Sequence, residues 1–339
     1  MKQGFPPECL KPSSSRWARL ANKYLARRLL TLVPVWIGIS VLAFVIGHLA
    51  SGDPGEAILT GELGRPPSHA ELAGFDRTLG LDRPLVVQYW HWVVGALHGN
   101  LGQSYRTGET VVGVLTSRLP ATLVLASAAF ALTVLIAVPL GTWAAFRASA
   151  WPDGITRVVS VGSAALPSFW VGYLLIIVFA VHWHLVPAQG NRGSHAVILP
   201  AVTLAVALVG VPLRLVRTSV LEVLNQDYVR TAKALGTPPL RVVGRHVLRN
   251  AVGPVVTYLG LVFAMELSTS VVVETVFAWP GVGLAVTDAI HGRDYPVVQG
   301  FVLLMGTVFV VVNLGVDLLY RMLDPRIRLG ARAGAKHGG

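Results

Sequence analysis

The sequence predicts an all-α integral membrane protein with six transmembrane helices, and three observations lead to this fold class. Hydrophobic residues make up 53% of the 339-residue chain and charged residues only 13%, about half the charged share of a typical soluble protein. Six stretches are apolar over the roughly 20 residues that a bilayer-crossing helix needs. The basic residues lie mainly in alternate segments between them. A disordered chain and a single soluble domain are therefore excluded.

The six predicted spans follow one another with polar segments between them. The first follows Arg27 and Arg28, as the apolar part of a signal peptide would, but it is too long for one and contains Pro34. The predicted spans are residues 29–50, 119–146, 155–183, 196–216, 251–277 and 297–320.

The distribution of lysine and arginine predicts the orientation of these spans. Of the 28 basic residues, 21 lie in or beside the segments on one side and 7 on the other. Because basic residues accumulate on the cytoplasmic side, both termini are expected in the cytoplasm. This asymmetry accounts for the net charge of +11, so no nucleic acid partner is indicated and the expected surroundings are a lipid bilayer.

The segment 51–118 is too long for a loop without structure of its own. Turn residues open it, and an aromatic-rich helical pattern that contains Tyr89, Trp90 and Trp92 follows. Such a helix suits the outer membrane surface. Two interpretations stay open: the aromatic side chains are interfacial anchors and packing, or they also contact a partner protein.

The segment 217–250 predicts a helix, a sharp corner and a second helix. The first helix can run to Leu235, and Gly236 stands where a helix often ends in the left-handed conformation. Thr237 can cap the next helix and Pro238 suits its first position. Small side chains around Ala232 would let another protein approach the backbone closely, although an ordinary connection between spans fits the spacing equally well.

A few residues inside the spans suggest roles in a transport path. Glu266 is an intramembrane carboxyl group, and such groups are costly and often functional. It is either protonated, paired with another subunit, or facing a watery path. Helix-breaking prolines interrupt the spans at Pro139, Pro167, Pro200 and Pro212. Pro167 lies in a partly polar stretch of the third span, which is either a simple kink or part of a path lining. The candidates in that stretch are Ser163, Pro167, Ser168 and Phe169.

No catalytic or metal site is predicted. Cys9 is the single cysteine, and His182 and His184 point to different faces of a helix. A phosphate-binding loop of the type G-x-x-x-x-G-K-[ST] requires a lysine after a glycine. None of the five lysines follows a glycine. ATP hydrolysis by this chain is therefore not expected.

The segment after the fourth span resembles the EAA loop of ABC-importer membrane subunits. Ala232 and Gly236 occupy the second alanine position and the glycine of the motif E-A-A-x-x-x-G, whereas the glutamate and the final proline of the family pattern are absent. The run D-Y-V-R-T-A-x-A-x-G and the later R-N-A are similar to the peptide-importer branch. Further segments similar to that branch are 51–54, 79–84, 100–104, 118–122, 166–170, 273–281, 293–300 and 323–328.

The resemblance covers about residues 28–328 and is to the first permease subunit of dipeptide/oligopeptide-type ABC importers. It implies the type I ABC importer permease fold with an extracytoplasmic helical insert. It also implies a second homologous permease subunit, two cytoplasmic ABC ATPase subunits or domains, and an extracytoplasmic solute-binding protein. No cofactor is expected on this chain, because ATP and Mg would bind the ATPases. Peptides are the expected substrate, with nickel chelates, glutathione and haem known in the wider family. An ion-driven secondary transporter is the alternative from another class.

The resemblance divides the chain into five expected parts. These are a cytoplasmic segment 1–28, the first transmembrane helix 29–50, the insert 51–118, a five-helix permease core 119–320 that contains the coupling segment 217–250, and a cytoplasmic tail 321–339. Contact with the binding protein is expected at the three aromatic residues of the insert. The residues expected to couple to the ATPase are Asp227, Tyr228, Arg230, Thr231, Ala232, Lys233, Ala234, Leu235 and Gly236.

Overall fold

The computed structural model describes residues 33–46, 54–80, 82–148, 150–190, 193, 195–238 and 249–323. Within these ranges every element is helical, and the sole extended pairing is one isolated bridge between Gln103 and Thr110. The predicted all-α class is therefore confirmed.

Four helices precede the long bundle. They are α1 (Val33–Ile46), α2 (Pro54–Leu63), α3 (His69–Leu79) and α4 (Leu85–Leu97). The start of α3 is a capping box, in which the Ser68 hydroxyl accepts from the Glu71 amide and the Glu71 carboxylate accepts from the Ser68 amide. Arg65 lies 2.7 Å from the same carboxylate. Hydrogen bonds from Arg65 and Ser68 lower the pKa of Glu71 to about 2.

The second predicted span begins earlier than its apolar pattern indicates. Helix α5 (Val111–Phe146) is 36 residues long and starts after Thr110, whose hydroxyl accepts from the Gly113 amide at 3.2 Å. Pro120 and Pro139 lie within it. The helix therefore begins eight residues before the predicted apolar span, because a side-chain cap, rather than hydrophobicity, sets where this helix begins.

The third and fourth predicted spans are each a bent pair of helices. The third consists of α6 (Trp151–Ala165) and α7 (Ser168–Leu175), which continues as a π-helix over Ile176–His182. The helix direction bends by 104° between α6 and α7. Leu166 is extended before Pro167, as the proline ring requires of the residue that precedes it. The break therefore lies at Pro167, where an interruption of the predicted span 155–183 was expected.

The fourth span bends by 54° between α8 (Ile198–Leu208) and α9 (Gly210–Leu224). Pro212 lies in the first turn of α9, where its ring excludes the carbonyl of Leu208 from a straight helix. Helix α9 continues eight residues beyond the predicted end at residue 216. The bend lies beside Pro212, one of the prolines expected to interrupt the predicted span 196–216.

The last part of the chain contains α10 (Asp227–Ala234), α11 (Arg249–Val276), α12 (Val282–His291) and α13 (Tyr295–Leu323). Helices α11 and α13 match the fifth and sixth predicted spans. In the described ranges, three helices are long and apolar enough to cross a membrane, or five if each bent pair is one span. The first of the six predicted spans is described only at Val33–Ile46; its ends lie outside the described residues.

Helix α5 lies at the centre of the bundle. Small residues on it, including Ala126, Ala137 and Gly141, are fully enclosed and let the neighbouring helices approach closely. A Cβ atom on Gly141 would stand 2.8 Å from the Leu213 carbonyl oxygen of α9. The two ends of α5 face different surroundings: its first turns pack on α12 and its last turns pack near α10. We call these the α12 end and the α10 end of the bundle.

Candidate functional site

The corner between α9 and α10 is formed by a short break in the helix. Helix α9 ends at Leu224, and the amides of Val229 and Arg230 then both donate to the carbonyl of Gln226, at 3.0 and 3.2 Å. This turn redirects the chain into α10. The Thr231 hydroxyl donates to the Asp227 carbonyl at 2.9 Å and so bonds within the helix rather than outward.

Gly236 closes α10 in the left-handed conformation, with φ of +75°. The Leu235 amide donates to the Thr231 carbonyl at 3.0 Å, and the Thr237 amide donates to the Ala232 carbonyl at 3.1 Å. The second bond is the six-to-one bond of a Schellman motif. The predicted conformation of Gly236 is confirmed. No atom lies within 4 Å of a Cβ built there, so the constraint is the backbone angle rather than space.

The predicted coupling residues share the exposed face of this corner. Leu235 has 80% of its surface exposed although it is aliphatic. Ala232 is half-buried, and the side chain of Lys233 lies outside the described residues. The exposed members are Asp227, Tyr228, Arg230, Thr231, Ala234, Leu235 and Gly236.

Val229 anchors α10 to the bundle, and the sequence analysis did not assign it a role. It is fully buried in a cluster with Ala145 of α5, Val220 of α9 and Val255 of α11. Val229 therefore places α10 in the same buried cluster as residues of three spans. The signal was available in the sequence, because Val229 is the sole aliphatic residue larger than alanine in α10.

The helix predicted to follow Thr237 and Pro238 lies largely in residues 239–248, outside the described residues. The structure therefore places one arm of the predicted corner and its closing glycine. The expected second arm stays a prediction.

The residues predicted near Pro167 lie at the 104° break between α6 and α7. Pro167 and Phe169 are exposed on this single chain, and Ser168 is half-buried. Ser163 faces α9 instead: a Cβ on Gly210 would overlap its hydroxyl oxygen, and the neighbouring Ser160 hydroxyl donates to the Gly210 carbonyl at 2.9 Å. The break itself therefore presents an open face, whereas Ser163 belongs to a helix contact.

Glu266 does not join these residues at the exposed face of the break. It is fully enclosed between α11 and α5, where the Thr133 hydroxyl donates to its Oε1 at 2.9 Å. Its Oε2 has no hydrogen-bond partner among the described residues. Within this chain the carboxyl group therefore faces a neighbouring helix rather than an open path.

The three aromatic residues of α4 divide between two faces. Tyr89 and Trp92 pack their rings near Phe44 of α1, at centroid distances of 5.4 and 6.3 Å, and the Tyr89 hydroxyl lies 2.8 Å from that of Ser40. Trp90 is 65% exposed. Of the predicted contact residues, Trp90 is thus the one that the chain leaves open.

Comparisons with known proteins agree on one kind of protein. The profile described as "Binding-protein-dependent transport system inner membrane component" matches residues 137–329, and the one described as "Binding-prot-dependent transport system membrane comp, N-term" matches residues 21–126. The chain is 37% identical to the dipeptide transport system permease protein DppB of Escherichia coli (strain K12) over 338 residues, covering 90% of this chain and 98% of that protein.

A second sequence relative and a solved structure are also similar to this chain. The chain is 39% identical over 306 residues to the glutathione transport system permease protein GsiC of Escherichia coli (strain K12), again covering 90% of this chain and 98% of the relative. A solved structure titled "Inward facing conformations of the MetNI methionine ABC transporter: CY5 native crystal form" matches with a TM-score of 0.54 and 16% identity. It covers 62% of this chain and 96% of that chain.

Proposed function

The chain belongs to the family of binding-protein-dependent transport system inner membrane components and is an inner-membrane permease of the peptide-type ABC importers. On this premise we propose that it forms half of a translocation pathway for peptides that a solute-binding protein delivers. A second, homologous permease supplies the other half. ATP is hydrolysed on separate cytoplasmic subunits or domains, which is consistent with the lack of a phosphate-binding lysine in this sequence.

The corner at α10 carries this proposal. Leu235 is an aliphatic residue exposed at the end of α10, where a helix that faced only water would have a polar residue. Small and charged residues surround it, and this combination suits contact with another protein. Val229 links that face to three spans. Closure of two ATPases would displace the corner and bias the spans between inward-open and outward-open arrangements.

Peptides are proposed as substrate because two relatives of similar identity have names that specify a dipeptide and glutathione. Glutathione is itself a short peptide with one unusual linkage. A single translocation pathway for short peptides could therefore carry either a dipeptide or glutathione. Nickel chelates and haem remain the alternatives within the wider family, and an ion-driven transporter is the alternative outside it.

The test is a gentle purification of the tagged chain expressed with its genomic neighbours. We expect a second permease and ATPases to co-elute, and we expect Mg-ATP hydrolysis to rise when the binding protein carries a dipeptide. Glutathione, a nickel chelate and haem are assayed in parallel, so that a rise with one of these alone would replace the substrate class. A chain that elutes alone, lacks ATPase activity and transports in vesicles under an ion gradient would overturn the proposal.

A further inference from the structure

A buried carboxylate holds the short helix α12 against two spans. The first four backbone N–H groups of a helix have no partner within it and need one elsewhere. In α12 the amides of Gly283 and Leu284 donate to Oε2 of Glu274, at 2.7 and 3.1 Å. The amide of Val282 donates to the hydroxyl of Thr122 at 2.9 Å. Side chains from α5 and α11 therefore satisfy the start of α12.

The same carboxylate is bonded on its other oxygen. Oε1 of Glu274 accepts from the Thr122 hydroxyl at 2.8 Å and from the Ser270 hydroxyl at 3.0 Å. Glu274 and Thr122 have no exposed surface. Four donors from three helices thus meet one buried carboxylate, an arrangement in which charge-assisted hydrogen bonds offset the cost of burial.

Glycines make room for this contact. A Cβ on Gly281 would overlap Oε2 of Glu274, and a Cβ on Gly283 would stand 2.6 Å from the Val271 Cα atom. The Trp279 indole N–H also donates to the Ala121 carbonyl at 2.9 Å, which ties the turn before α12 to α5. Glycine at positions 281 and 283 therefore allows the start of α12 to lie directly against α11 and the Glu274 carboxylate.

Strained turns flank α12 on both sides. Ala278 and Arg293 have φ of +46° and +54°, a conformation that residues with a Cβ rarely adopt. After the second turn, Asp294 accepts from the Ser104 hydroxyl and, at 3.1 Å, from the Tyr105 amide. Such strain persists only where the surroundings hold the chain in place. Helix α12 is thus fixed at both ends.

The two spans that Glu274 joins at the α12 end are also joined at the α10 end. Val229 shares a buried cluster with Ala145 of α5 and Val255 of α11, whereas Glu274 of α11 bonds Thr122 of α5. Helices α5 and α11 therefore meet at two separate levels, one at Thr122 and one at Ala145.

We propose that Glu274 is a positioning residue, whose carboxylate makes α12 one rigid body with α5 and α11, so that a displacement of α10 reaches the α12 end of the pathway. The contacts themselves do not depend on the function of the chain, but their role in transport rests on the proposed importer. Helix α12 would move together with α5 and α11 as the pathway changes between its two arrangements, because the first turn of α12 is hydrogen-bonded directly to side chains of both spans.

The first experiment measures the rigidity of this contact directly. Spin labels are attached at Val272→Cys and Ile290→Cys, two exposed positions on α11 and α12, in a Cys9→Ser background. We expect a narrow distance distribution for the parent and for Thr122→Ser, which keeps the hydroxyl group. Thr122→Val removes that hydroxyl and should broaden the distribution. Glu274→Gln should broaden it further, since one amide cannot accept from four donors.

A matched control separates the contact from a general effect of the substitution. Thr269 on α11 is exposed and its hydroxyl donates only to the Met265 carbonyl of its own helix, at 2.8 Å. Thr269→Val makes the same chemical change as Thr122→Val and should leave the distribution narrow. If Thr122→Val stays as narrow as the parent, the proposal is overturned, and this result does not depend on what the chain transports.

The second experiment asks whether the contact transmits displacement in the assembled complex. Basal ATPase activity should survive in Thr122→Val, because its site lies far from the α10 corner. Stimulation by loaded binding protein should fall about tenfold, the factor that corresponds to one lost buried hydrogen bond, and Thr122→Ser should restore it. Full stimulation in Thr122→Val, with a broadened distance distribution, would contradict the transmitting role while leaving the importer assignment intact.

Discussion

Gly236 shows how one residue can be required for its backbone rather than for its contacts. No atom lies within 4 Å of the Cβ position, yet φ is +75° and the Schellman bond from Thr237 depends on that angle. A side chain added here meets open space, so its whole effect is on the conformation of the corner.

We predict that Gly236→Val impairs transport while membrane insertion persists. The left-handed conformation costs a β-carbon-bearing residue about 1–2 kcal/mol, and the end of α10 should shift away from the ATPase. Transport into proteoliposomes and co-elution of the ATPase measure the effect. Gly190→Val is the control, because Gly190 has φ of +81° and equally open space but lies away from α10. Normal assembly and transport in Gly236→Val would show that the coupling assignment is wrong.

The role of Glu266 can be tested by Glu266→Gln, which replaces a single side-chain oxygen by nitrogen. Thr133 donates to its Oε1 at 2.9 Å, and a glutamine keeps that acceptor. We therefore expect Glu266→Gln to assemble and transport like the parent, with a stability change below about 1 kcal/mol. Glu266→Leu removes the acceptor and should be the more damaging variant in thermal unfolding. Severe loss of transport in the glutamine variant, with intact assembly, would instead establish a charged role.

At the scale of an element, α10 is short and depends on packing for its position. An isolated helix of eight residues does not form stably in water. Among its described side chains only Val229 is buried, and it supplies the packing that places α10 under α5, α9 and α11. The same contact is what would carry a displacement of α10 into the membrane.

We predict that Val229→Ala loosens this connection without preventing assembly. The lost burial amounts to roughly 2 kcal/mol, and less substrate should be transported per ATP hydrolysed. The measurement is the ratio of peptide uptake to phosphate release in proteoliposomes. Val211→Ala, at a 43% exposed position of α9, makes the same change and should leave the ratio unaltered. An unchanged ratio in Val229→Ala would refute the anchoring role.

At the scale of the whole molecule, the charge asymmetry predicts one orientation in the membrane. Basic residues number 21 on the expected cytoplasmic side and 7 on the other, a bias that the positive-inside rule relates to topology. The α10 corner and both termini would then face the cytoplasm, and α12 would face outward.

Cys9 provides the measurement, since it is the only cysteine in the sequence. A membrane-impermeant maleimide should label Cys9 in inside-out vesicles but not in right-side-out vesicles. In a Cys9→Ser background, Ile290→Cys on α12 should show the opposite preference, because Ile290 is 56% exposed. The reverse pattern at both positions would invert the topology.

Much of the candidate site could be predicted because its signals are local. A helix that ends at a glycine, a corner beyond the fourth span and the absence of a phosphate-binding loop all depend on neighbours within a few residues. The exposed face of α10 follows from the same short stretch. Val229 stands out locally as the sole aliphatic residue of α10 larger than alanine, but its packing with Ala145 and Val255, which lie far from it in the chain, could not be predicted.

The amino-acid sequence alone determined the helical class, the order of the apolar stretches and the left-handed corner at Gly236, since hydrophobicity and backbone preference act over one or two turns. Prolines in the sequence account for the positions of the 104° and 54° bends, whereas tertiary structure decided the enclosure of Glu266 and the contact of Glu274 with the start of α12. Thr122 and Glu274 are 152 residues apart, and Ser104 and Asp294 are 190 apart. Such contacts arise only when packed helices bring distant residues together, and no local pattern specifies which pairs will meet.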